Sequence, residues 1–233
     1  MTRAKPVANR LLEALPSGAL VGIRSECELV ELKRGDVLCE PGDRIRDVYF
    51  PAGSFVSLVA RAADNADLEV ALVGSEGMVG IPLLLGADTK PWRVLVQGSG
   101  HAWRMSAEIF RGKLAGNPQL HRELSGYVSS RLAQLAQNAL CSCSHSLEAR
   151  LARRLLMTQD RAHADDFHAT QEMLAKMLGV RRSSITCAAA ALRDKKIIRY
   201  RRGSITVLDR LGLENVSCGC HQIAMRGHGG LLQ

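Results

Sequence analysis

Residues Gln171–Thr186 read QEMLAKMLGVRRSSIT, and the way this stretch divides at its glycine decides how the chain folds. Thr170, just before it, is a good N-cap residue, and Glu172 places negative charge in the first turn, where the helix dipole favours it. Leu174 and Leu178 recur one turn apart on a face that can be buried, while Ala175 is small enough for a second helix to approach. Gly179 supplies the left-handed backbone that ends one helix and turns the chain sharply. Val180 fills the corner, and Ile185, Ala189 and Leu192 recur at helical spacing to bury the next helix. The stretch is therefore expected to be a helix-turn-helix. That geometry leaves Arg181, Arg182, Ser183, Ser184, Thr186 and Cys187 on the N-terminal, outward part of the second helix, the part that enters a major groove. An arginine there can make two hydrogen bonds to guanine, and serine or threonine can reach bases or phosphates.

The next segment, IIRYRRGSITVLD (Ile197–Asp209), has two β-rich pieces flanking Arg201-Arg202-Gly203-Ser204. It is expected to be a hairpin wing whose Arg199, Arg201 and Arg202 touch the phosphate backbone and fix register without reading sequence. Thr170, at the start of the first helix, joins these residues as a DNA contact. Charge points the same way. The chain carries a formal net charge of +8, and Ser146–Arg210 alone holds 14 Lys/Arg against 7 Asp/Glu, so nearly all the excess lies where a polyanion would bind.

Upstream the pattern changes. From about Leu20 to Ile109 short segments rich in Val, Leu, Tyr and Phe alternate with turn signals at Arg34-Gly35-Asp36, Pro41-Gly42-Asp43 and Pro51-Ala52-Gly53-Ser54, which predicts a β-barrel or jelly roll. From Pro118 onward Leu124, Val128, Leu132, Leu135 and Ala139 follow helical spacing and are expected to line a dimerisation helix. Ser146 caps a further helix, LEARLARRLLMTQDR, and AHADDFHA reads as a connection. At 233 residues and 46% hydrophobic, the chain can supply a core for more than one domain. The expected organisation is α+β: residues 1–112 as a jelly-roll sensor, 113–145 as dimerisation helix and hinge, and 146–233 as a winged helix-turn-helix.

This order of parts resembles the Crp/Fnr family of bacterial transcription regulators. TQEMLAKMLGVRRSSIT and IIRYRRGSITVLD carry the resemblance most specifically, with RGDVLCEPGD and GMVG supporting it in the barrel. The resemblance implies a cyclic-nucleotide-binding-like jelly roll and a homodimer on two-fold symmetric double-stranded DNA. It also implies that activation by contact with RNA polymerase is a common outcome and repression by blocking the other. Members that bind cyclic AMP carry Gly-Glu, whose glutamate holds the ribose hydroxyl, and then Arg-Ser-Ala, whose arginine counters the cyclic phosphate. Here Gly80 is followed by Ile81, and the second motif reads Lys90-Pro91-Trp92. Isoleucine cannot accept a hydrogen bond, proline removes a backbone donor, and lysine lacks arginine's paired geometry. Cyclic AMP is therefore not the expected signal, although Arg93 is available to another anion and the effector is left unassigned. The recognition helix departs too. Where the family's best-known readers present Arg or Val, then Glu, then Arg four positions on, this chain has Arg182, Ser183 and Cys187, which should change the base preference.

Seven cysteines and no secretory signal suit reduced thiols in a cytoplasmic protein without membrane segments. No cysteine precedes Cys27, so the family's iron–sulfur arrangement is missing; His101 and His121 are the imidazoles open to a haem. Two close pairs, Cys141-Ser142-Cys143 with His145 and Cys218-Gly219-Cys220-His221, could bind zinc or copper, yet structural zinc ligands are usually separated by two or more residues. No metal or cofactor is assigned, and a metal- or redox-responsive regulator, using these pairs or oxidation of Cys187 at the DNA surface, is the alternative. Catalysis is not expected. Phosphate-loop, His-Glu-x-x-His and Gly-x-Ser-x-Gly motifs are missing, Asp64, Asp67 and Glu69 read as a solvated loop, and Asp165 and Asp166 as an exposed connector.

Overall fold

The structure, a computed structural model, describes residues 8–61 and 67–221. Asp64 lies outside them. Among the described residues, contacts divide the chain into two compact units, one holding 8–58 and 72–131, the other 59–61, 67–71 and 132–221.

The first unit opens with two short helices, α1 (Arg10–Glu13) and α2 (Ser17–Arg24), so the predicted strand region begins later than Leu20. Asn9 explains the start: its side chain accepts from the Leu12 amide and donates to the Pro51 and Gly77 carbonyls, which ties the helix to the strands. Strands β1 (Glu28–Leu32), β2 (Val37–Cys39), β3 (Asp47–Ala52), β4 (Phe55–Arg61), β5 (Asp67–Val73), β6 (Arg93–Gly98) and β7 (Gly100–Ser106) follow. They form a three-stranded sheet in the order β1-β7-β3 and a four-stranded sheet in the order β2-β6-β4-β5, the jelly-roll architecture expected. Asp67 and Glu69 stand in β5, not in a loop: Asp67 pairs with Arg61 at 2.9 Å and Glu69 with Arg154.

Helix α3 (Ala107–Gly116), capped by the Ser106 side chain, leads into the 27-residue α4 (Pro118–Ser144). The first half of α4 belongs to the core of the first unit, where Leu120, Leu124, Tyr127 and Val128 pack with Phe50, Met78, Met105 and Phe110. Each such side chain contributes about 1.5–3 kcal/mol by leaving water. The Tyr127 hydroxyl accepts from the Met78 amide at 3.1 Å.

In the second unit Ser146 caps α5 (Leu147–Ala162), as its sequence predicts. A three-residue strand, β8 (Asp166–His168), replaces the expected irregular connection. It is held by pairing with a strand far along the chain, which local sequence does not announce. Then come α6 (Gln171–Leu178), α7 (Arg182–Asp194), β9 (Ile198–Arg201), β10 (Ser204–Val207) and α8 (Arg210–Val216). The strands form a sheet in the order β8-β10-β9. Leu151, Leu155 and Leu156 of α5 pack with Leu174, Ile185, Leu192, Ile205 and Leu213 to close the core. A buried ion pair between Arg154 and Glu69, 2.9 Å apart with both side chains 7% exposed, ties α5 to β5. No helix among the described residues is long and apolar enough to cross a membrane.

Candidate nucleic-acid interface

The residue types that predicted the helix-turn-helix occupy the positions that build it. Thr170 Oγ1 accepts from the Met173 amide at 3.1 Å, and Gly179 ends α6 at φ 63°, ψ 42°. A side chain there would be strained. The Val180 amide then closes the corner on the Ala175 carbonyl at 3.0 Å. Ile185, Ala189 and Leu192 are buried, which turns the opposite face of α7 outward and leaves Arg181, Arg182, Ser183, Thr186 and Cys187 exposed and Ser184 half-buried. Arg181 serves as N-cap residue without a side-chain bond to the helix, so the first amides of α7 and its positive dipole end face the same way as the arginines.

The wing completes this surface. Arg202 and Gly203 at the tip both have positive φ, 49° and 81°, the two-residue turn whose twist matches a hairpin. Arg199 and Arg201 alternate with Ile198 and Tyr200, so burial of the isoleucine puts both arginines outside. Two contacts draw the three elements to one point. The Ala169 amide donates to the Gly203 carbonyl at 2.9 Å, and a Cβ on Gly203 would lie 3.1 Å from Thr170 Cγ2, so the wing tip sits against the start of α6. The Thr186 hydroxyl lies 2.8 Å from Gln171 Oε1, joining α7 to the same start. By its place in the sequence Thr186 is a free base reader. Its hydroxyl hydrogen is instead engaged by Gln171 or by the Arg182 carbonyl at 3.1 Å. Gln171, which the sequence pattern does not single out, is held by its Oε1 and keeps its amide donors; its one signal is its place in the first turn beside the cap, where helix ends meet phosphates. Among the described residues, Arg181, Arg182, Arg199, Arg201 and Arg202 form no ion pair, while Arg193 pairs with Asp194 at 2.9 Å and Lys195 with Glu148 at 2.7 Å. Asp165 accepts from Gln159 and Asp166 from Ser204.

The ligand-pocket residues of the first unit are differently placed. Gly80 lies so close to Val48 that an added Cβ would come within 2.5 Å of it, and Ile81 opens a short 3₁₀ turn, packing against the core. Arg93 is not free for an anion. Its Nε and a terminal nitrogen grip Glu40 at 2.9 and 2.7 Å, which fills the guanidinium fork with a carboxylate. Lys90 is 3% exposed, its ammonium lowered in pKa by burial, against which Cys39, Asp47 and Asp43 act. It lines a pocket of about 210 Å³ with Cys39, Asp43, Arg46, Asp47 and Tyr49. Pro91 is exposed and Trp92 half-buried, and His101 and His121 are both exposed.

The apolar stripe of α4 splits. Leu124 and Val128 belong to the core of their own chain, because the helix turns that face to the sheets, and so they do not line a dimer face. Leu132 and Ala139 are exposed and Leu135 half-buried. The exposed apolar residues are Leu132, Ala133, Ala136, Ala139 and Leu140, with Leu132 62% and Leu140 55% exposed. Cys143 and Cys187 are exposed, whereas Cys141, Cys218 and Cys220 are buried together.

Residues 149–216 match the model of a Crp-like helix-turn-helix domain, and residues 29–117 that of a cyclic nucleotide-binding domain. A CRP-like cAMP-activated global transcriptional regulator of Mycobacterium tuberculosis is 21% identical over 209 residues, covering 85% of this chain and 92% of the relative. Among solved structures, the c-di-GMP-responsive global regulator CLP of Xanthomonas campestris aligns with a TM-score of 0.67 at 18% identity, over 82% of this chain and 99% of that one. A Crp/Fnr-family transcriptional regulator of Thermus thermophilus aligns with a TM-score of 0.67 at 24% identity, over 82% and 98%. With both domain models in the family's order and a winged helix-turn-helix behind a jelly roll and a long helix, the chain belongs to the Crp/Fnr family of transcription regulators.

Proposed function

We propose that the chain acts as a homodimer on two-fold symmetric DNA sites, and that cyclic AMP does not control it. Arg182 with Ser183 and Cys187 faces base edges, and Thr170, Gln171, Arg199, Arg201 and Arg202 hold phosphates. The observation that carries this reading is the convergence of unpaired arginines from α7 and the wing on the start of α6. It is a binding surface, and no catalytic step is assigned to it. Operation on DNA places the protein in the bacterial cytoplasm and makes RNA polymerase its natural further partner.

Dimerisation through the second half of α4 is supported by its seam. Leu132, Ala136, Ala139 and Cys143 follow spacings of 4, 3 and 4, with Leu140 beside them and all exposed, the pattern by which two helices interlock. Independence from cyclic AMP rests on chemistry at the pocket. Ile81 offers no acceptor to a ribose, and the cation nearest in sequence to the second motif, Arg93, is already bound by Glu40. The mycobacterial relative is cAMP-activated by name; this chain has Gly80-Ile81 and Lys90-Pro91-Trp92 where cyclic AMP-binding members of the family carry Gly-Glu and Arg-Ser-Ala.

Selection of bound duplexes from a random pool by reduced, additive-free protein tests the whole reading. The expected winner is two-fold symmetric and bound equally well with and without cyclic AMP. Enrichment only after cyclic AMP is added would overturn the pocket reading, and no symmetric enrichment under either condition the dimeric one.

A further inference from the structure

Away from the DNA-facing surface, the second unit gathers four side chains that DNA binding does not use. Cys141 lies in the last turn of α4 and His145 follows one helical turn later, its amide donating to the Cys141 carbonyl at 3.3 Å. Spacing of four residues puts both on one face. Cys218 and Cys220, both buried, come from the turn after α8, where the His221 amide donates to the Cys218 carbonyl at 3.2 Å. The sulfurs of Cys141 and Cys218 stand 3.4 Å apart, Cys220 Sγ stands 3.8 Å from His145 Nδ1, and the ligand atoms of all four residues lie within 4.8 Å of one another. We propose that Cys141, His145, Cys218 and Cys220 form a tetrahedral site for one zinc ion.

The distances suit that ion. Zinc bonds of about 2.3 Å to sulfur and 2.0–2.1 Å to nitrogen set ligand-to-ligand edges of about 3.5–3.8 Å in a tetrahedron, and the Cys141–Cys218 and Cys220–His145 separations of 3.4 and 3.8 Å lie close to that range. A four-iron cluster would hold its ligands farther apart, because each grips a different iron. Three buried thiols and an imidazole are also a soft donor set that binds zinc in preference to magnesium or calcium. A divalent ion between these closely spaced donors takes the sulfurs as thiolates, so binding of the ion and folding of the site are coupled.

The surroundings also fit. Gln137 Nε2 donates to Cys220 Sγ at 2.9 Å, the outer contact that steadies a coordinated thiolate. His221, adjacent in sequence, is not a ligand, since its Nε2 lies 3.0 Å from Asp160 Oδ2, while Arg210 holds Oδ1 of the same carboxylate at 2.8 Å. Asp160 is opposed by burial, yet the hydrogen bonds from His221 and Arg210 keep its carboxyl below the usual range. Cys143 points away and is exposed. Each Cys-x-Cys pair alone has the wrong spacing for zinc. The fold makes the site by taking one cysteine and a histidine from the first pair and both cysteines from the second. Four protein ligands close the coordination sphere, so the ion braces structure and does not catalyse. It would join the end of α4 to the chain beyond α8, spanning the ends of the winged helix. The site stands independently of the DNA-binding reading.

Cobalt titration of the reduced, chelator-treated full chain tests it. The expected result is one Co2+ per chain, with thiolate-to-cobalt charge-transfer bands and the visible bands of tetrahedral cobalt, displaced by one equivalent of Zn2+. Cys143→Ser leaves these spectra unchanged, Cys218→Ser abolishes or weakens them, and Gln137→Ala lowers affinity about 10–100-fold without changing their form. Because a ligand variant can misfold, the rate of alkylation of the wild-type chain through its local opening is the second measure: zinc slows modification of the buried Cys141, Cys218 and Cys220, while the exposed Cys187 reacts at the same rate with or without the metal. A folded chain without thiolate–cobalt bands, equal loss in Cys143→Ser and Cys218→Ser, or alkylation indifferent to zinc would each overturn the site.

Discussion

In the first unit Arg93 grips Glu40, Arg104 grips Glu28, and Arg44 and Arg111 share Asp88. In the second, the five arginines at the start of α7 and along the wing have no carboxylate among the described residues, while Arg154, inside the unit, is closed against Glu69. The same side chain thus does opposite work according to its partner. A guanidinium already forked by a carboxylate is a structural tie, and offering it to a ligand requires breaking that tie. An exposed, unpaired guanidinium keeps its field for an incoming polyanion. Arg93, Arg104, Arg44 and Arg111 of the first unit are thus tied within it, whereas Arg181, Arg182, Arg199, Arg201 and Arg202 of the second are presented outward.

Breaking the buried tie should have the largest effect. Glu69→Gln leaves Arg154 buried without a counter-charge, which should cost about 3–5 kcal/mol and appear as a large fall in melting temperature. Leu132→Asp places a charge in the apolar seam of α4 and should convert dimer to monomer in sedimentation, with a loss of at least about 1–3 kcal/mol in affinity for a symmetric duplex. Unchanged dimerisation would move the interface elsewhere. Arg202→Ala at the wing tip should leave melting unaltered, weaken binding to all sequences alike, and lower the slope of log affinity against log salt by about one. Glu40→Gln releases a half-exposed pair and should change stability by no more than about 1 kcal/mol. A larger loss would mean that Arg93 is as structural as Arg154.

The sequence disclosed what local chemistry determines. The Thr170 cap, the left-handed Gly179, the buried Ile185 and Leu192 and the Arg202-Gly203 turn each act within a few residues, so α6, α7 and the wing are legible in the order of residues alone. Features made by distant partners are not. Strand β8 exists because Phe167 and His168 pair with β10, and Arg93 is engaged because Glu40 lies 53 residues away. Helical spacing finds Leu124, Val128 and Leu132 but does not say that α4 turns its early face inward and frees its late one. Spacing misleads most at the cysteines, since Cys141 meets Cys218 across 77 residues, and rules about neighbouring ligands do not see that approach.

In the proposed function α7 reads bases through Arg182 while the wing holds phosphates. Its most direct test is the affinity of wild type and Arg182→Ala for the selected duplex and for every single-base-pair variant of it, at fixed salt. The expected result is a loss of about 1–3 kcal/mol on the selected site and loss of discrimination at one base pair in each half-site, symmetric about the centre, with discrimination elsewhere unchanged. A uniform loss across all variants would make Arg182 a phosphate contact and contradict the assignment.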